Sequence, residues 1–206
     1  MLAPLAVALV LAASPGPLSV VKNADTEIQK VLQAPDATTS KLAARADEFV
    51  DFAELAKRAM GPEWAKLNKK QQDEFSATMK GLLRASYAQK AVNDGRGGNN
   101  AKVEYGEEKE NGNEAEVDTK LHVKQDTYSV IYKLYRPDAK SSWRIYDVVT
   151  DEVSLVTTYS DSFRSVMSKK GFDGLLKSLK DKQAQLEKQN AETPAKPVEK
   201  TELEKK

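Results

Sequence analysis

Cysteine is missing altogether from the 206 residues, and histidine occurs once, as His122. The first absence removes disulfides, thiolate nucleophiles, cysteine-based zinc sites and a lipid-modified N-terminal cysteine. The second removes Ser-His and Cys-His catalysis built on several imidazoles, together with most zinc sites. A surplus of one charge is missing too. Lys+Arg number 32 against 31 Asp+Glu, so no strong global field draws nucleic acid or an anionic membrane. Nor is there an apolar run of the roughly 20 residues needed to span a bilayer. Charged residues make up 31% of the chain, and what folds is expected to be freely soluble. These absences exclude much of enzymology before any motif is read.

What is present begins with residues 1–13, almost wholly Ala, Leu and Val, followed by Ser14-Pro15-Gly16-Pro17. A run this short fits the apolar region of a signal peptide, with cleavage expected after Ala12 or Ala13. No Lys or Arg precedes it, so the leader reads as one with a truncated basic region and a true start upstream. A buried N-terminal helix is the competing reading.

The remainder divides by period. Leu18 to Leu32 has helical spacing, and so does Ser40 to Met60, which Gly61-Pro62 stops. Asn68 with Gln71 three residues on makes a capping-box pattern for a long helix whose apolar stripe is Phe75, Met79, Leu82, Leu83 and Tyr87. Asn93 to Asn100, with three glycines, is a loop. From Ala101 the period becomes two. Val103 and Tyr105 suggest a strand, and Gly106 to Gly112 a turn. Ala115, Val117, Thr119, Leu121 and Val123 alternate with charged or polar neighbours, the mark of a half-buried strand. Tyr128 to Tyr135 and Trp143 to Val149 follow, apolar on both faces. Short connections predict an antiparallel meander of about four strands. Helical spacing then returns, with Ser154 as N-cap and a break at Gly171. The fold class is therefore α+β: a meander sheet packed with N-terminal and C-terminal helices around an apolar pocket. Residues 187–206 carry five acidic and five basic groups and read as a disordered charged tail.

No catalytic constellation emerges, and the chain is not expected to be an enzyme. His122 lies between Lys120 and Lys124 on a solvated strand face. Glu107-Glu108, Asp51-Glu54 and Asp151-Glu152 sit in loops or on exposed helix faces, with nothing visible to perturb a carboxyl pKa. Asp147 lies within an apolar strand, where its expected role is structural: accepting hydrogen bonds from a neighbouring cap or backbone amide. Gly95, Gly97 and Gly98 lack the residues of a phosphate-binding loop. Tyr105, Tyr128, Tyr132 and Trp143 could stack bases, but no basic groove accompanies them, so no nucleic acid is expected. By elimination, a cavity between sheet and helices is the natural place for function.

One stretch carries a family likeness. Trp143-Arg144-Ile145-Tyr146-Asp147-Val148-Val149, then Val153-Ser154-Leu155-Val156, Tyr159, Phe163 and Gly171-Phe172-Asp173-Gly174-Leu175, resembles the MlaC family, the toluene-tolerance auxiliary component of an ABC transporter. Upstream, Phe52, Gly61-Pro62-Glu63-Trp64, Gln71, Phe75, Leu82, Leu83 and Tyr87 agree, and the likeness covers roughly residues 18–182. Two positions depart from it: Glu152 stands where the family usually has Gly, and Ser160 where it often has Arg.

The resemblance implies a domain over 18–186 with an NTF2-like sheet, and a periplasmic phospholipid carrier. Such proteins shuttle lipid between an outer-membrane lipoprotein complex and an inner-membrane ABC transporter containing an MCE protein, maintaining outer-membrane lipid asymmetry. It implies a monomer, no cofactor and no metal, with phospholipid as cargo. The residues expected to line the pocket are Leu83, Tyr87, Tyr105, Val117, Leu121, Val130, Tyr132, Ile145, Val148, Leu155, Val156, Tyr159 and Phe163, with Trp64 and Asp147 structural. Two other readings stand beside it: an NTF2-like envelope module that binds a protein partner without lipid, and an NTF2-like enzyme with a small polar site around Asp147 and Tyr132.

Overall fold

A computed structural model describes residues 14–94, 101–123 and 125–192. The expected leader over 1–13, the glycines of the 95–100 loop and residues 193–206 of the expected 187–206 tail lie outside the described residues, whereas 187–192 are helical rather than disordered. In chain order the elements are α1 (Pro17–Gln33), α2 (Thr39–Ala46), α3 (Phe52–Met60), a 3-10 segment (Gly61–Lys66) and α4 (Lys69–Asp94). The strands β1 (Ala101–Asn111), β2 (Glu114–Val123), β3 (Asp126–Tyr135), β4 (Arg144–Thr150) and β5 (Val153–Ser154) follow, and then α5 (Leu155–Glu192).

The five strands form one antiparallel meander in the order β1-β2-β3-β4-β5. The two-residue β5 adds to the four strands anticipated. The expected turn at Gly106–Gly112 is instead a bulge between Tyr105 and Glu108, with the strand running on to Asn111. Glycine suits the close approach of the two backbones there, since a Cβ on Gly106 would lie 3.2 Å from the Asp118 carbonyl oxygen, a tight contact. The actual turn falls at Gly112, where φ is 63°.

The helical region anticipated over 40–60 is two helices, not one. Between them Phe49 to Asp51 runs alongside β4: Ile145 N–H donates to the Phe49 carbonyl at 2.8 Å, and Asp51 N–H to the Ile145 carbonyl at 2.7 Å. β5 pairs only with Val149 and Thr150, so the first half of β4 has an open edge that this segment covers. Pairing there overrides helical periodicity. Arg144 fastens the segment by donating to the Asp47 and Val50 carbonyls, each at 2.7 Å. Asp51 then caps α3, its Oδ1 accepting from Ala53 N–H and Glu54 N–H.

Other helix ends are built as their sequences suggest. Asn68 and Gln71 exchange reciprocal side chain–backbone bonds at 3.0 Å. Ser154 Oγ accepts from Thr157 N–H at 3.0 Å. α5 breaks at Gly171, whose φ of 65° and ψ of −172° belong to a region essentially reserved for glycine. It then continues past Glu187 to Glu192, and Asn190 Nδ2 donates to the Ala85 carbonyl of α4 at 2.8 Å.

Two apolar bodies result. The helical body joins α3, α4 and α5 around Phe75, Met79, Leu83 and Phe163. The sheet body packs α1 through Val20 and Val21 onto Ala115, Val117, Leu134, Trp143 and Ile145.

Candidate functional site

Register decides which sheet residues can act together. Val117 pairs with Tyr132, Tyr132 with Val148, Thr119 with Tyr105 and with Val130, and Leu121 with Tyr128. Cross-strand partners share a face, so Tyr105, Val117, Leu121, Val130, Tyr132, Ile145 and Val148 line one side of the sheet. That side faces α1. Thr119 sits in the same row, buried, with its hydroxyl donating to the Val130 carbonyl at 2.8 Å.

The other predicted lining residues lie elsewhere. Leu83, Leu155, Val156, Tyr159 and Phe163 belong to the helical body. Tyr87 stands beside it at 49% exposure. The structure therefore separates the thirteen positions into two groups. They meet where β5 runs directly into α5, and there Val153 is 63% exposed. Val153 and Tyr87 are the two large apolar side chains left exposed among the described residues.

Asp147 fixes this corner. Its buried carboxylate accepts from Ser154 Oγ at 2.6 Å and from the Val156 N–H at 3.0 Å, so it holds the first turn of α5 against β4. The turn before it is tight, with Asp151 at φ 47° and Glu152 at φ 68°. Positive φ at both central residues of a two-residue hairpin is the type I′ signature, for which glycine is favoured at the second position. Trp64 packs edge-on to Phe75 with ring centroids 6.4 Å apart.

Polar groups that the sequence reading did not single out lie against the apolar sheet face. Asp25 of α1 accepts from the Tyr105 hydroxyl at 2.7 Å, and Lys22 Nζ lies 5.1 Å from the centre of the Tyr105 ring. Burial and the Asp25 carboxylate push the Tyr105 hydroxyl pKa up. Burial, with the same carboxylate, pushes Tyr132 up to about 12. The signal was in the sequence: Asp25 interrupts the stripe Val21–Asp25–Ile28 at helical spacing.

On the opposite face Arg58 of α3 stacks over Tyr146 at 3.8 Å and donates to Glu114 at 2.5 Å. Burial pushes Tyr146 up to about 12. In the helical body, burial and the nearby Tyr87 push Tyr159 to about 12. His122 stays at the surface, 3.0 Å from the Thr127 hydroxyl and 3.4 Å from Glu104.

Two grooves lie on the outside. One of about 540 Å³ runs between α2, α4 and the end of α5, past Arg84, Gln183, Glu187 and Asn190. Another of about 460 Å³ is bordered by Asp47, Asp51, Lys80 and Arg144. Arg84 and Glu187 are the charged side chains of the first, and the second mixes its charged groups with Val50, Phe52 and Ala53. Among the described residues no group of acidic or histidine side chains is arranged to hold a metal, and no helix is long and apolar enough to cross a membrane.

A meander with one apolar face under a helix, joined at a braced corner to an all-helical body, defines an α+β protein. The model of the MlaC protein family matches residues 18–181, and the chain belongs to that family. It is similar in fold to a phospholipid-binding protein from Ralstonia solanacearum solved in complex with a phospholipid. The TM-score is 0.72 at 24% identity, covering 84% of this chain and 99% of the other. No curated protein matches the sequence significantly.

Proposed function

We propose that the protein is a periplasmic phospholipid carrier and not an enzyme. The observation that carries this reading is the fold match to a protein solved with phospholipid bound, over 99% of that protein's length. Family membership supports it. Transferring an acyl chain from a bilayer into water costs about 0.8 kcal/mol per CH₂, so two long chains cost on the order of 20 kcal/mol. A carrier must therefore enclose them in surface that is almost wholly apolar. The row Val117, Leu121, Val130, Tyr132 and Val148 on one sheet face, with Leu155, Val156 and Tyr159 across the corner, supplies side chains of that kind. The head group stays in solvent at the mouth.

In this reading the carrier works as a monomer. It collects lipid at an outer-membrane lipoprotein complex and exchanges it with an inner-membrane ABC transporter containing an MCE protein, which maintains outer-membrane lipid asymmetry. Native mass spectrometry and organic extraction of protein purified from its own cells test the first step. Phospholipid recovered near one molecule per chain is the expected result, and protein with no lipid even in trace sinks the carrier. The readings then left are an envelope module that only binds a protein partner and an enzyme with a small polar site around Asp147 and Tyr132.

A further inference from the structure

Resting on the carrier reading, we infer that α1 is a latched cover over the apolar sheet face, that cargo loads by lifting it, and that Asp25 and Glu108 are the residues that hold it down. The helical body contains no residue of α1. The sheet body takes its helical contribution from α1 alone, since Phe49 and Val50 lie in the extended segment between α2 and α3. One helix therefore covers this face, whereas three interlock in the other body.

The fastening is unlike ordinary core packing. Val20 and Val21 are the buried apolar anchors. Pro17 is buried beside them, and Leu18 and Ala24 add partly buried apolar contacts. The polar fastenings reach to one strand, β1: the Leu18 N–H donates to the Glu108 carboxylate, and the Tyr105 hydroxyl donates to Asp25 at 2.7 Å. Gly16, the N-cap of α1, makes no side-chain cap bond, so Glu108 supplies from across the chain the acceptor that a local cap would give. Both latches sit in the first ten residues of α1. Its far end stays tied to α2 through the Ala34–Thr38 connection and the Glu27–Arg45 ion pair at 3.7 Å.

Charge-assisted bonds are about twice as strong as neutral ones, and their hydrogen-bonded part needs a short, well-directed contact that about an ångström or two of separation removes. Latches of this kind give a cover that is either shut or free. Once it lifts, acyl chains replace Val20 and Val21 against Val117, Tyr132 and Val148. The strongly raised Tyr105 pKa agrees with a hydroxyl that keeps its proton to serve as the donor.

Exchange of a fluorescent phospholipid between vesicles of three parts phosphatidylethanolamine to one part phosphatidylglycerol tests this in the full chain. Tyr105→Phe removes one latch and should raise the exchange rate about tenfold, the effect of one bond to a charged acceptor. Glu108→Gln should raise it less. The converse variant uses the absence of native cysteine: Leu18→Cys with Glu108→Cys, joined by a short thiol-bridging reagent, should stop exchange, while each single-cysteine variant treated alike should not. Bridged protein exchanging at the wild-type rate, or Tyr105→Phe within twofold of wild type, overturns the cover. Wild-type protein that moves no lipid overturns the carrier reading as well, so the two failures are told apart.

Discussion

The helical body and the sheet body are closed in different ways. In the first, Phe75 is completely buried and meets Trp64, Phe163 and Phe172 with ring centroids 5.5–6.4 Å apart. Met79 and Ala56 beside it are also completely buried. In the second, Val117 and Leu134 are fully buried at the centre of the row, but Tyr105, Tyr132 and Val148 around them are only partly covered. A core filled from three helices leaves nothing to lift without breaking all of it. A sheet face covered by one helix can be uncovered while the rest stays folded. Stability belongs chiefly to the first body, and in the proposed mechanism exchange belongs to the second.

Truncation in the two bodies gives the largest contrast. Phe75→Ala should cost about 3–5 kcal/mol in urea unfolding, because the surrounding rings cannot collapse into the space. Val117→Ala should cost about 2 kcal/mol, and α1 can settle toward the gap. Equal losses would break the comparison, since they would place both bodies in one rigid core. Asp147 tests the joint between them. Asp147→Ala strands the Ser154 hydroxyl and the Val156 N–H, and should cost about 1–3 kcal/mol. Asp147→Asn keeps one acceptor oxygen and should cost less. Loss of lipid exchange in the Asn variant at unchanged stability would refute a purely bracing role.

Alkaline titration sharpens the same contrast without mutation. Tyr105, Tyr132 and Tyr146 on the sheet and Tyr159 in the helical body all have pKa values raised above 10 by burial, the last three to about 12. A raised tyrosine pKa means that the fold favours the neutral hydroxyl. Its contribution is complete below the unfolded value near 10, and is lost as pH rises through the folded value. Melting temperature should therefore be flat from pH 7 to 9 and fall between about 10 and 12. Because three of the four groups lie on the sheet, its amides should lose hydrogen-exchange protection first. Simultaneous loss in α4 would argue against independent opening.

Much of the fold was legible in the sequence because it rests on local chemistry. The capping box at Asn68 and Gln71, the alternation from Ala115 to Val123 and the break at Gly171 are each written in a few adjacent residues. What was not legible depends on distant partners. Phe49 to Asp51 leaves the helix because β4 has an open edge some 95 residues later. Gly106 resembles a turn residue until Asp118 lies against it. For the site, alternation showed which sheet residues share a face, but it could not show that the apolar stripes of α4 and α5 fill a different body. Asp25 was visible as a carboxylate within an apolar stripe, yet its meaning needed Tyr105 opposite.

The smallest expected effect lies at the corner itself. At Glu152 an L-residue holds φ 68°, where a side chain costs about 1–2 kcal/mol relative to a right-handed conformation. Glycine removes that strain but adds freedom to the unfolded chain, so Glu152→Gly should stabilise by about 0.5–1 kcal/mol. The neighbouring Asp151 differs, although its φ is also positive. Its N–H donates to the Ser129 carbonyl at 2.9 Å, and its Oδ1 accepts from the Ser129 N–H at 3.0 Å. Asp151→Gly relieves strain but forfeits the side-chain bond, and should be neutral or slightly destabilising. If Glu152→Gly stabilises and leaves vesicle exchange unchanged, the corner is a fixed joint and movement belongs to α1. If instead it alters exchange severalfold at constant stability, the β4–β5 hairpin moves too, and the two bodies open about their joint as well as beneath the cover.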